Sequence, residues 1–246
     1  MMPGPLQPVV FSLGVATMAT LVTLAVGLAM ARLLTYRHIH FQGFWETLIM
    51  LPMVFPPTIT GYLLLLMLGK RGPVGALLSG IGVQVVFTRM AAVIAAVVVS
   101  LPLMYQNCKA ALSSVDQRLI DAARTLGIDE GRLWRRVTIP LAAPGILSGV
   151  ALSFARALGE FGATLMIAGN IPGRTQTIPL ALYSAVEGSR STEANVYLGI
   201  TVALSFVVIG LVGIGERRAR TLRGKGRITR HNDARPLFFT MGGASR

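Results

Sequence analysis

The chain has 246 residues, 53% of them hydrophobic and 13% charged, with a mean hydropathy of +0.63. A soluble domain carries about 25% charged residues, so the deficit and the long apolar runs place the chain in a lipid bilayer. The net charge of +13 would point to nucleic acid in a soluble protein. Here the cations collect in loops and in the tail, where they orient a membrane chain, and no nucleic-acid partner is expected. The single cysteine, Cys108, excludes an intrachain disulfide and any cysteine-based metal cluster.

Residues 9–31 are uncharged and long enough to cross, since a crossing takes about 20 apolar residues. Ala29-Met30-Ala31 has the form of a leader cleavage site. No positive charge precedes the run, however, and it is too long for a leader's core, so it reads as a retained first span. Arg32, Arg37, His38 and His40 follow. The histidines stand at i, i+2 and face different ways on a helix, so no metal site is expected there.

Residues 47–69 form a second span, broken by Pro52, Pro56 and Pro57 and continued by Thr58, Thr60, Gly61 and Tyr62. Each proline removes a backbone donor and pushes the preceding residue away from helix. Carbonyls freed inside a bilayer must be satisfied by protein or by water in a cavity, and broken spans in transporters often border the pathway. The break serves packing or a pathway; Pro56, Pro57, Thr58 and Thr60 are the pathway candidates. Residues 72–88 are uncharged, glycine-rich and short. They are expected to lie on the outer face and lead into a third span, 85–107.

A polar, arginine-rich loop, 114–140, comes next. Ser114, with Gln117 three residues on, has the form of a capping box. Leu119, Ile120, Ala123 and Leu126 recur on one helical face, with Arg118, Asp121 and Arg124 largely on the other. Gly127 stands where a helix ends in a left-handed turn. Asp129 can cap a second short helix carrying Leu133, Trp134 and Val137, and Pro140 is expected to stop it.

The fourth span is expected at 145–168. Gly145 and Gly149 form a GxxxG, continued by Ala155, Gly159 and Ala163 as a small-residue stripe for close packing in lipid. Arg156 and Glu160, four apart, share a face with Gly149 and Ser153. Charges at this depth cost at least a few kcal/mol unless paired or wetted. They read first as an internal ion pair that fixes packing, and alternatively as a charged element of the pathway or gate. Residues 169–193 form a polar outer segment, in which 177–186 is too short to cross, and 194–215 is the fifth span. The expected division is a transmembrane domain, 1–216, and a basic cytoplasmic tail, 217–246. Pro236 to Arg246 shows no periodicity and is expected to be disordered.

The expected fold is therefore all-α and polytopic, with about five spans, the 114–140 loop and C-terminus inside and the N-terminus outside. Lys and Arg agree: the inner segments carry Arg32, Arg37, Lys109, Arg118, Arg124, Arg132, Arg135, Arg136 and the tail. The outer ones carry Lys70, Arg71, Arg89, Arg174 and Arg190. No Gly-x-x-x-x-Gly-Lys-Ser/Thr loop, triad, paired-carboxylate site or metal motif is found. The chain is not expected to be an enzyme or to hold a cofactor of its own. A stand-alone channel or secondary transporter would account for the broken span and the Arg156–Glu160 pair but not for the polar loop. A membrane scaffold would account for the GxxxG alone.

Asp121-Ala122-Ala123, Gly127 four residues further on, then Val137, Ile139 and Pro140 after nine more residues resemble the signature of the membrane subunits of ABC importers. The one departure is Asp121, where that family has Glu. The resemblance implies a type I importer permease fold in which these seven residues belong to a cytoplasmic coupling helix that docks on an ATPase. A narrower stretch, 155–179, with Gly159-Glu160-Phe161-Gly162, Thr164-Leu165-Met166 and Pro172-Gly173-Arg174-Thr175-Gln176-Thr177, resembles the molybdate permeases. Leu51-Pro52, Phe55-Pro56-Pro57, Thr60-Gly61-Tyr62 and Arg71-Gly72-Pro73 do so too. Sulfate permeases share the Gly-Glu-Phe-Gly core, so a sulfate or other oxyanion permease is the alternative. The resemblance implies a homodimer in the bacterial plasma membrane, two ATPase subunits that bind ATP and Mg, and an external molybdate-binding protein.

Overall fold

The structure, a computed structural model, describes residues 6–36 and 40–225, with backbone alone beyond Gly210. Arg37 and His38 of the sequence reading lie outside the described residues, as does the tail from 226. Within them every regular element is a helix: α1 (Leu6–Tyr36), α2 (Gln42–Val54), α3 (Pro57–Leu68), α4 (Pro73–Gly80), α5 (Arg89–Ser113) and α6 (Gln117–Thr125). α7 (Glu130–Leu133), a π turn (Trp134–Thr138), α8 (Ile139–Leu158), α9 (Gly162–Ala168), α10 (Ile178–Glu187) and α11 (Ser191–Lys225) follow. Four uninterrupted helical stretches are long and apolar enough to cross a bilayer, and α2–α3, bent by 116°, makes a fifth if the pair counts as one span.

Lipid offers no hydrophobic reward for bringing two apolar helices together, so the bundle relies on small residues that let backbones approach. α5 is the hub, packed by α1, α8, α9 and α2. Its Ala91, Ala92, Ala95 and Ala96 are fully buried, against a face of α1 made by Val15, Ala16 and Ala19. The GxxxG of α8 meets α5 as closely as its spacing suggests. A Cβ on Gly145 would stand 2.7 Å from Ala111 Cβ, and one on Gly149 2.8 Å from Asn107 Cβ. Gly159 does not continue that contact; the nearest atom to a Cβ there is 3.7 Å away.

Several local expectations are corrected. Ser114 does not open α6. α5 runs through Ser113 and Ser114 closes it, its hydroxyl donating to Ala111 O at 2.8 Å, so the cap passes to Asp116, which accepts from the Arg118 amide at 2.9 Å. Pro140 does not stop a helix either. The preceding turn widens, with the Ile139 amide donating to Trp134 O five residues back, and Pro140 follows directly, so its ring is taken up by a π turn inside the helix and not by a helix end. Helix is thus continuous from Glu130 to Leu158, and the fourth span, expected at 145–168, starts earlier and is cut at 159–161. The tail expected from 217 continues α11 as helix to Lys225.

Candidate functional site

Two places in the bundle are built unlike the rest: the polar unit around α6, and the point where both helix breaks meet.

At the first, Ile120, Ala123 and Leu133 close a small core with Val115, Ile128 and Val137, which holds α6 against α7. The chain reverses at Gly127, whose φ of +74° lies in the left-handed region that L side chains avoid. The Gly127 amide donates to Arg124 O at 2.9 Å and that of Ile128 to Ala123 O at 3.2 Å, closing the end of α6. Asp129 then caps α7, accepting from the amides of Gly131 at 2.9 Å and Arg132 at 3.0 Å. These bonds, that from Arg132 foremost, hold its carboxyl below the ordinary carboxylate range. The cap is therefore charged at neutral pH and fails only as pH falls through that lowered value. Arg124 ties the two helices, reaching Glu130 at 2.8 Å and Asp121 at 3.4 Å.

The seven motif residues divide by role. Ala123 and Val137 pack inward, Ile139 packs on the α1–α5–α8 core, Gly127 makes the turn, and Asp121, Ala122 and Pro140 face out. The apolar face expected of α6 is split. Ile120 and Ala123 are buried, but Leu119 is half exposed and Leu126 is 81% exposed, so the unit presents leucines on its free side.

At the second place, α3 packs along α9. A Cβ on Gly61 would lie 2.7 Å from Ala163 Cα, and one on Gly162 3.1 Å from Pro57 Cβ and 3.2 Å from the Thr58 nitrogen. The break of the second span and the break of the fourth are thus keyed into each other. Glu160 sits in the latter, 2% exposed. Its Oε1 accepts from the Ala163 amide at 2.8 Å, giving α9 a carboxylate at its start, and its Oε2 lies 2.7 Å from Arg156 Nη1. Arg156 lies on α8, before the break, and its side chain is 32% exposed. The pair therefore spans the break and does not ride on one helix face, as its i, i+4 spacing had suggested. Pro56, Pro57 and Thr58 are exposed at the bend; Thr60 is buried, its hydroxyl without a hydrogen-bond partner. The cut at 159–161 was missed from sequence, where its local trace is the pair of glycines on either side of the break, Gly159 and Gly162. No cluster of three or more His, Cys, Asp or Glu that could hold a metal occurs among the described residues.

Residues 14–221 match the family of binding-protein-dependent transport system inner membrane components. The chain is 41% identical over 203 residues to the putative molybdenum transport system permease protein YvgM of Bacillus subtilis (strain 168), covering 82% of this chain and 89% of that one. It is also 41% identical over 204 residues to the molybdenum transport system permease protein ModB of Escherichia coli (strain K12), with the same coverage. Its fold is similar to that of a chain of the MetNI methionine ABC transporter in inward-facing conformations, with a TM-score of 0.66 at 18% identity over 89% of this chain and 99% of that one. The chain belongs to the inner membrane components of binding-protein-dependent transport systems, and its architecture is that of an ABC importer permease.

Proposed function

We propose that this chain is the membrane subunit of an ATP-driven importer that takes molybdate, with tungstate as close companion, from an external binding protein into the cytoplasm. The observation that carries the mechanism is the rod from Glu130 to Leu158, 29 residues without a break, about 43 Å long at 1.5 Å per residue. One end is held in the Asp129-capped unit beside α6, and the other brings Arg156 to Glu160 at the start of α9. Movement of α6 is thereby passed to the place where α3 and α9 interlock.

In this reading the α6 unit is the coupling helix. Leu119 and Leu126 enter a groove on an ATPase subunit, and the charges of Asp121, Arg124 and Glu130 rim the contact. ATP and its magnesium ion belong to that partner, since no phosphate-cradling loop occurs in this sequence. Two copies of the chain enclose the pathway, each with its own ATPase. Pro56, Pro57, Thr58, Thr60, Arg156 and Glu160 form the gate region. Closure of the ATPase pair draws the coupling helices together and opens the gate outward.

Gly127→Val should separate insertion from coupling. A Cβ at Gly127 meets nothing within 4 Å, so the strain is in the backbone alone, about 1–2 kcal/mol for an L residue held left-handed and more for a β-branched one. Normal membrane yield with weakened ATPase co-purification is expected, and Gly127→Asn should be milder because Asn tolerates this region. Full transport by Gly127→Val would remove the coupling role.

The orientation follows the cation bias: α6 inside, N-terminus outside, C-terminus inside. A reporter active only outside the cytoplasm should work when fused after Gly80 or Gly188 and stay silent after Arg132 or Arg227. The reverse at any one site breaks the orientation.

The substrate rests on the relatives named for molybdenum transport. Molybdate and tungstate are tetrahedral dianions of nearly equal size, so neutral hydrogen-bond donors cannot easily separate them. Sulfate is smaller, and a rigid cage in the binding protein can exclude it. Cells lacking this permease should lose high-affinity uptake of labelled molybdate at low concentration and keep sulfate uptake. Loss of sulfate uptake with molybdate intact would move the chain to the sulfate permeases. Uptake into reconstituted vesicles that proceeds without ATP would make it a channel or secondary transporter.

A further inference from the structure

An open groove of about 650 Å³ lies between the start of α1, the start of α5 and the loop after α9. None of its lining residues comes from α2, α3 or α9. Its walls are apolar: Phe11, Val15 and Met18 from α1, Met90 and Val93 from α5. Gly14 forms part of the lining, and a Cβ there would meet nothing within 4 Å. One end is polar. Gln7 reaches across to Gly173 O at 3.1 Å, and Gln176, Arg89 and Arg174 stand beside it. Both arginines are exposed, and neither pairs with a carboxylate among the described residues.

The dimensions match one class of molecule. From Gln7 to Met18 α1 rises about 16 Å, which is about half the ~30 Å hydrocarbon core of a bilayer. The groove is therefore one leaflet deep, apolar along its length, with two unpaired guanidiniums at the headgroup level. This end of the bundle is the one opposite α6, because Arg32 and Tyr36, at the far end of α1, line a cavity with Ile120 and Arg124 of α6. We infer that the groove holds a phospholipid with an anionic headgroup, its acyl chain along Phe11, Gly14 and Met18 and its phosphate between Arg89 and Arg174. Guanidiniums bind phosphate oxygens through charge-assisted, often bidentate hydrogen bonds. The lipid thereby joins the start of α5 to the loop after α9. Only the choice of leaflet, the outer one, rests on the proposed orientation; the site itself does not.

The test is native mass spectrometry of the full chain in complex with its ATPase, purified in mild detergent and incubated with phosphatidylglycerol or phosphatidylcholine. The wild type should keep about one phosphatidylglycerol per chain more than the Arg89→Gln/Arg174→Gln variant and show no such difference with phosphatidylcholine. Lys70→Gln/Arg71→Gln removes the same charge elsewhere and should change nothing. Gly14→Leu should lose the lipid whatever its headgroup, while the fold has room for the side chain. Equal phosphatidylglycerol counts in the wild type and the arginine variant overturn the inference, as does full retention by Gly14→Leu. Ready disulfide formation between two copies carrying Val10→Cys overturns it too, since the groove would then be filled by protein.

Discussion

Arg156→Gln should damage the protein more than Glu160→Gln, although each removes one charge from the same ion pair. The two partners are buried unequally: Glu160 is 2% exposed, whereas the Arg156 side chain is 32% exposed. Removing the guanidinium strands a carboxylate that water does not reach, a loss of about 3–5 kcal/mol when the remaining charge is fully buried. Removing the carboxylate leaves a guanidinium that is one-third wet. Gln at 160 also keeps an amide oxygen for the Ala163 N–H, so the start of α9 stays capped. The double variant, Arg156→Gln/Glu160→Gln, should resemble Glu160→Gln alone, because no buried charge is left. Monodisperse yield after detergent extraction and the thermal midpoint of the purified complex would show this order. If Glu160→Gln is the harsher change, or if all three fold normally and transport poorly, the carboxylate faces water in the working cycle and lines the pathway. Glu160→Ala removes both the charge and the cap, and should loosen α9 beyond what Glu160→Gln does.

Much of this arrangement could be read from residues before any coordinates. The spans are legible because a bilayer demands long uncharged runs, and the break at Pro56-Pro57 because proline cannot donate. The Gly127 turn is legible because its spacing from Asp121 and Ile139 leaves glycine one role, and its φ is +74°. The second break is different. Residues 159–161 contain no proline, and an Arg and a Glu four apart look like helical neighbours whether or not the helix survives between them. What cuts the helix is tertiary: the carboxylate of Glu160 accepts from the Ala163 amide in the first turn of α9, and α9 is held by α3. The split face of α6 was hidden for a related reason. Periodicity puts Leu119 and Leu126 with Ile120 and Ala123, but the small core formed with Val115, Ile128, Leu133 and Val137 covers only the last two. Ser114 failed as a cap because a polar residue between two helices can serve either, and the longer helix took it.

Gly61→Ala should disable transport although it adds a single methyl group. The added Cβ would stand 2.7 Å from Ala163 Cα, 3.0 Å from Ala163 O and 2.8 Å from Met166 Cβ. Two of those atoms are backbone and cannot turn aside, so α3 and α9 must separate. Overpacking of this kind costs about 1–3 kcal/mol, and here it falls on the contact that joins the two breaks. Gly162→Ala should be milder, since its Cβ would meet Pro57 Cβ at 3.1 Å and the Thr58 nitrogen at 3.2 Å, which a shift of a few tenths of an ångström relieves. Gly14→Ala, with nothing within 4 Å, should behave as wild type. Met166→Ala should not rescue Gly61→Ala, because alanine keeps the Cβ that makes the 2.8 Å contact and the backbone of Ala163 stays in place. In vesicles containing the complex, Gly61→Ala should lower ATP-driven molybdate uptake at least tenfold and raise passive molybdate leak, while the ATPase still co-purifies because α6 is untouched. Unchanged uptake and no leak would show that α3 and α9 do not form the gate, and the pathway would then have to be sought along the exposed faces of α2 and α11.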